Sequence, residues 1–225
     1  MPNFLRWQQI KETLQLYNVT LVAVSKMQPV SEIKALYDAG QRIFGENKAQ
    51  ELLEKQSLLP TDIQWHFIGH LQTNKVKQIV PFVSLIHSID SWKLLQETDR
   101  QARLCKRQIR VLLQVHIAQE AHKYGWKPAQ LCELLDCQHA LQNLPNIVVC
   151  GLMGMASLTN DRQQIAHEFE GLRNFFEQLR DTYFANSPHF TECSMGMSGD
   201  YDLALSTGST MLRIGTALFS VKNKI

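Results

Sequence analysis

The sequence is short of the features that announce a compartment or a macromolecular partner. Its five cysteines (Cys105, Cys132, Cys137, Cys150 and Cys193) are odd in number, scattered and never spaced C-x-x-C. Neither a disulfide framework nor a zinc site is expected from them, and they fit reduced thiols in a cytoplasmic protein. No stretch approaches the roughly 20 apolar residues of a membrane span. The amphipathic start, MPNFLRWQQIKETL, carries charges throughout and lacks the apolar run of a signal peptide. An excess of one charge is missing too: 23 basic against 21 acidic residues leave a net charge of +2. That balance gives no electrostatic case for nucleic acid or an anionic membrane as partner. His87, His122, His139, His167 and His189 show no metal-ligand spacing, so no metal is implied. No Pro/Gly-rich linker or low-complexity stretch divides the 225 residues, which predicts one domain over 1–225.

What the sequence does have is alternation of short apolar runs with longer segments of helical period. The runs are LVAVS (Leu21 to Ser25), RIF (Arg42 to Phe44), QWHFI (Gln64 to Ile68) and SLIHSI (Ser84 to Ile89), then IRVLLQVHI (Ile109 to Ile117), NIVVCGLM (Asn146 to Met153), HFTECSM (His189 to Met195) and MLRIG (Met211 to Gly215). Most are rich in β-branched residues and leucine without strict alternation, the pattern of buried parallel strands. Between them lie helical segments at Pro29 to Gly40, Lys48 to Ser57, Thr73 to Val80, Trp92 to Leu104, Pro128 to Cys137 and Asp200 to Ser206. The clearest helix carries Ile165, Phe169, Leu172, Phe176 and Leu179 on one stripe. Eight β-α repeats predict a single (β/α)₈ TIM-type barrel. An open dinucleotide-binding sheet would show a glycine-rich turn after its first strand, and SKMQPV has no glycine.

Two regions carry chemistry. Lys26 ends the first strand, and in a barrel the carboxyl ends of the strands form the active face. Desolvated there, a lysine becomes an amine nucleophile for an aldehyde; a lysine whose stem packs at a strand end and whose head stays in water looks the same. The second region is SMGMS (Ser194 to Ser198) followed by GDYDLALSTGSTMLRIGT (Gly199 to Thr216). Its glycines, serines and threonines lie where barrels build phosphate sites from backbone N–H groups, with Ser198 placed to cap a helix and Gly215 and Thr216 to offer N–H groups and a hydroxyl. Ordinary turn and cap chemistry uses the same residues. Arg213 stands within the last strand run, and closure of the barrel makes it a neighbour of Lys26. A reactive lysine, a phosphate cradle and a buried arginine converging on one mouth match the needs of pyridoxal 5′-phosphate. Met153, Met155, Met195 and Met197 are expected to fill the apolar upper barrel, and His66, His70 and Lys75 lie within reach of the mouth.

AVSK (Ala23 to Lys26), FGENKAQE (Phe44 to Glu51), WHFIGHLQTNK (Trp65 to Lys75), GLM (Gly151 to Met153), SMGMSGDYDLA (Ser194 to Ala204) and GSTMLRIGT (Gly208 to Thr216) together resemble the pyridoxal phosphate homeostasis proteins, single-domain relatives of the alanine racemase barrel. The resemblance runs from about Leu21 to Phe219. It implies that Lys26 forms a Schiff base with the cofactor, that Ser198, Gly215 and Thr216 hold the phosphate, that Arg213 faces the pyridine nitrogen and that Asn47 lies near the cofactor. It also implies buffering or delivery of the cofactor, to apo forms of pyridoxal phosphate enzymes among other partners, without robust catalysis; a monomer is expected. The chain departs from its relatives at His116, where asparagine is usual, after GLM, and at Ser220, where glycine is common. Its amino-terminal helix also looks short.

A racemase-like enzyme of weak activity and a lysine-imine aldolase are the alternatives. Against the racemase, Lys26 supplies one base where two are needed, and the second comes from a separate domain in racemases with this barrel, whereas this chain ends shortly after Phe219. A charged guanidinium at Arg213 also donates to the ring nitrogen without protonating it, which weakens the electron sink.

Overall fold

Alternate residues on a strand face the same way, and that rule sorts the apolar residues of this chain into a barrel interior and a layer beneath helices. The computed structural model describes residues 1–120, 124–137 and 141–219; His122, His139 and Ser220 lie outside them. Helix α1 (Phe4–Leu16) precedes eight strands: β1 (Thr20–Val24), β2 (Ile43–Glu46), β3 (Gln64–Phe67), β4 (Leu85–Ile89), β5 (Ile109–Val115), β6 (Ile147–Gly154), β7 (Glu192–Ser194) and β8 (Met211–Ile214). Each of the first seven is followed by a helix: α2 (Val30–Asp38), α3 (Ala49–Leu58), α4 (Thr73–Ile79), α5 (Trp92–Leu104), α6 (Pro128–Asp136), α7 (Arg162–Thr182) and α8 (Tyr201–Ser206). The strands run in sequence order, all parallel, and β8 closes on β1 with Val22 beside Arg213 and Ala23 beside Ile214. The chain is a (β/α)₈ barrel. Among the described residues no helix is long and apolar enough to cross a membrane.

Seven strands agree with the apolar runs to within about two residues; the seventh is shorter. His189 to Thr191 were expected in β7 but lie outside it: a turn ends at His189, and Phe190 stacks on Phe184 at 4.1 Å and Phe176 at 5.0 Å. Strand β5 stops at Val115 because its neighbouring backbone pairs instead with the following loop, His116 N–H with Trp126 C=O and Trp126 N–H with Gln114 C=O. In α7 the predicted stripe is buried from Ile165 to Leu179, each side chain contributing about 1.5–3 kcal/mol. Asp161 caps that helix by accepting the N–H groups of Gln163 and Gln164.

Helix α1 buries Trp7, Ile10 and Leu14. The Trp7 indole donates to Gln41 Oε1 at 3.0 Å, and the Gln41 amide donates to the Leu21 and Ile43 carbonyls. One side chain thereby ties the helix to the first two strands.

Inside the barrel, Val22, Leu85, Leu112, Cys150, Met153 and Met211 form a small apolar cluster. Two residues further along the strands the interior turns polar, with His87, Gln114 and Arg213 all buried. The β5–β6 register shifts between Val111 and Leu112, and opposite the shift Gly151 takes a φ of +146°. A Cβ there would stand 1.8 Å from the Glu192 carbonyl oxygen, so only glycine lets β6 and β7 approach.

Candidate functional site

The polar layer is the floor of a cavity of about 390 Å³ at the carboxyl ends of the strands. Strand period decides what lines it. On β1 the face that carries Val22 into the apolar cluster carries Val24 and then Lys26 to the cavity; on β8 the same face carries Met211, Arg213 and Gly215. Lys26, Asn47, Ser198, Arg213, Gly215 and Thr216, the six residues singled out from sequence, all border this cavity.

Two of them differ in detail from expectation. Lys26 is exposed, not desolvated, because it stands beyond the last residue of β1 at the rim. Ser198 does not cap α8, whose N-cap is Asp200; the Asp200 carboxylate accepts the Met197 N–H and makes no capping bond to the helix. The Ser198 hydroxyl oxygen instead accepts the Gly215 N–H at 3.3 Å, so that N–H is not free, and the two loop segments close on each other. Asn47 is half-buried, and its backbone is held against Gly69, where a Cβ would fall 2.2 Å from the Asn47 carbonyl oxygen.

Arg213 is 4% exposed. It donates to Ser194 C=O at 2.9 Å, to Ser194 Oγ at 2.6 Å and to Gly154 C=O at 2.8 Å, and the residue borders the cavity. Burial lowers its pKa to about 10, against the pull of Asp200, so it stays charged at neutral pH. Below it the chain of contacts continues from Ser194 Oγ to His87 Nδ1 at 3.3 Å and from His87 Nε2 to His66 Nδ1 at 3.0 Å. His66 therefore sits beneath the cavity and not in its wall. Burial, then the nearby Arg110 charge, lowers its pKa to about 3; burial, His66 and Arg213 push His87 well down. With both rings neutral, donation from Ser194 to His87 and from His87 to His66 satisfies every contact in the chain.

These rings give a pH dependence. Unfolded, each ionises near 6.5; folded, His66 does so near 3. Between those values the unfolded chain binds more protons, so stability falls as pH is lowered through that window, by about 1.4 kcal/mol per unit for a ring that stays neutral. Guanidinium unfolding at about pH 7 and about pH 5 measures the loss. A His66→Gln variant should show a smaller loss, and an identical loss in both proteins would assign the dependence to other groups.

His70 does reach the cavity, with Nδ1 3.0 Å from Asp90 Oδ2 and its ring stacked on Tyr124 at 3.7 Å. Lys75 borders a neighbouring side cavity of about 260 Å³ that shares Asn47 and His70. Met153 and Met195 are fully buried as expected, whereas Met155 and Met197 line the cavity instead of filling the barrel. The His116 ring contacts the Glu120 carbonyl at 2.9 Å and braces the loop after β5, outside the cavity wall.

Residues 5–223 match the model of the alanine racemase N-terminal domain. The pyridoxal phosphate homeostasis protein of Vibrio alginolyticus is 37% identical over 211 residues, covering 92% of this chain and 88% of that protein. The chain belongs to the pyridoxal phosphate homeostasis family. In solved structures of a second relative, PipY of Synechococcus elongatus, the likeness covers 96% of this chain and 98% of that one at 38% identity. The TM-score is 0.89 for PipY without pyridoxal phosphate and 0.86 for PipY with it bound. Against this family background, Gln114, Tyr124 and Gly69 are among the cavity residues that sequence reasoning missed. Gln114 carried a signal, a polar residue inside an apolar strand run; Tyr124 and Gly69 are placed by loop packing, which no local pattern reveals.

Proposed function

We propose that this chain binds pyridoxal 5′-phosphate as an imine on Lys26 and serves as a holder and donor of the cofactor. The observation that carries the reading is one cavity bordered by an amine at Lys26, a hydroxyl and backbone edge at Ser198, Gly215 and Thr216, and a buried guanidinium at Arg213. The donor set fits the group: N–H and O–H donors for a phosphate, a fixed cation for a ring nitrogen, an amine for the aldehyde. When bound, the cofactor supplies an electrophilic carbon and, with its ring nitrogen protonated, an electron sink.

Arg213 bears on which of these is used. Its three bonds to Ser194 and Gly154 hold the guanidinium in place, and it remains charged at neutral pH, so it donates to a ring nitrogen and leaves no proton there. Lys26 at an exposed rim leaves its imine open to water and other amines, which suits release more than protection of a carbanion. Release to apo enzymes that use the cofactor, by a monomer, completes the reading.

A second reading, weak activity on amino acids, draws on His70, whose contact with Asp90 gives the cavity a second oriented base besides Lys26. Solvent deuterium exchange at the α-carbon of alanine and serine, with loaded protein, separates the two. The expected exchange is far below about 1 s⁻¹; Lys26-dependent exchange at that rate or faster, inside the ordinary enzyme range, would make the protein a catalyst.

A further inference from the structure

Lys26 lies between two residues that one side-chain cluster holds from behind. The Lys55 ammonium on α3 is 5% exposed and donates to Ser25 C=O at 2.6 Å, to Glu46 Oε1 at 2.6 Å and to Glu51 Oε1 at 2.7 Å. Those contacts use the full donor capacity of an ammonium. Glu46 Oε1 also accepts the Ser25 hydroxyl at 2.6 Å, and Glu51 Oε1 accepts the Met27 N–H at 2.6 Å. The residue before Lys26 is thus bound through its carbonyl and hydroxyl, and the residue after it through its amide. None of Ser25, Glu46, Glu51 and Lys55 borders the cavity that Lys26 reaches.

The backbone shows what the cluster has to hold. Met27 has a φ of 61°, in the left-handed region that is unfavourable for a residue with a side chain. Its amide is the group Glu51 grips. Without that grip the turn after β1 gains by relaxing to negative φ, and the lysine one residue earlier is redirected with it. A simple strand–helix ion pair would have no reason to bind the backbone on both sides of one exposed lysine. The cluster also joins two carboxylates to one ammonium in a buried place, and Glu46 Oε2 has no hydrogen-bond partner among the described residues. That arrangement is costly for stability alone.

We propose that Lys55, Glu51 and Glu46 are positioning residues that fix the Ser25–Met27 turn and so present the Lys26 amine to the cavity. The inference rests on Lys26 as the lysine that captures the cofactor. Capture is condensation of the amine with the aldehyde: a C=N bond forms and water leaves. Positioning of Lys26 acts on this step and not on the non-covalent grip of the phosphate edge.

The test is stopped-flow absorbance of imine formation at saturating pyridoxal phosphate, which reads the first-order capture rate. It is paired with the dissociation constant of the cofactor in a Lys26→Ala background. Glu51→Ala should slow capture by about tenfold or more, since misplacement of a reacting group by about 1 Å costs up to about a hundredfold. The same substitution in the Lys26→Ala background should change affinity less than about twofold, within the few tenths of a kcal/mol by which independent sites interact. Glu51→Gln, which keeps an acceptor for the Met27 N–H, should recover much of the rate. Because Lys55→Met strands a buried carboxylate and risks misfolding, the paired Lys55→Met/Glu46→Gln variant serves as the second probe, with the same slowing expected. A wild-type capture rate in folded Glu51→Ala and in the paired variant overturns the proposal, as does an equal loss of rate and non-covalent affinity. If the wild-type protein captures the cofactor on another lysine, the reading of Lys26 falls and the positioning role falls with it.

Discussion

Borohydride treatment of the Lys26→Ala protein after incubation with pyridoxal phosphate should leave no adduct on the peptide spanning β1 and the turn after it, whereas the wild-type protein should carry the pyridoxyl mass on Lys26. The expectation is all-or-none because, among the described residues, Lys26 is the one lysine bordering the cavity. Lys75 faces the side cavity next door, and Lys55 is locked into bonds with Ser25, Glu46 and Glu51. A lysine at an exposed rim contributes little packing, so the variant should unfold within about 0.5 kcal/mol of wild type. That leaves loss of chemistry as the explanation for loss of the adduct. Peptide mass mapping decides the matter, and an adduct found mainly on Lys75 would move the reactive centre to the side cavity.

Removing the phosphate from the ligand should be nearly as severe. Pyridoxal keeps the aldehyde and ring nitrogen but forfeits every contact with the edge built by Ser198, Gly215 and Thr216. Hydrogen bonds to a charged group are worth about 1.5–3 kcal/mol each, so two of them set the expected loss at roughly a hundredfold or more in affinity. Titration of the Lys26→Ala protein with pyridoxal and with its phosphate isolates this contribution from imine formation. Equal affinities would place the anion site elsewhere.

The barrel and three of the cavity residues, Lys26, Arg213 and Gly215, were legible from strand period; Ser198 and Thr216 stood out by turn composition, and Asn47 by the family resemblance alone. Lys26, Arg213 and Gly215 border the cavity because each lies an even number of residues from an inward-facing neighbour, and Arg213 was conspicuous as a charge inside an apolar run. What local pattern could not supply was the behaviour of loops. Ser198 had the composition of a helix cap, yet it accepts from Gly215, just past the end of β8 and seventeen positions away. Phe190 looked like part of a strand and belongs to an aromatic stack with Phe176 and Phe184. Tyr124 enters the wall through a stack on His70, from the loop after β5. His66 had strand placement right and depth wrong: its partner is His87 beneath the floor, a contact set by how far β3 and β4 are offset.

The contact between Ser198 and Gly215 has a consequence for how tightly the site can hold an anion. The two edges of the cradle satisfy each other. If the phosphate lodges at this edge as proposed, it does not add a bond at Gly215 but trades one, and about 1 kcal/mol of the gross attraction is returned when the internal bond is given up. On departure the same bond re-forms as the phosphate lets go, so the loop is never left with a bare amide and the barrier to leaving is lowered. A cofactor grip with its own built-in competitor is weaker than its donors would allow, and faster to open.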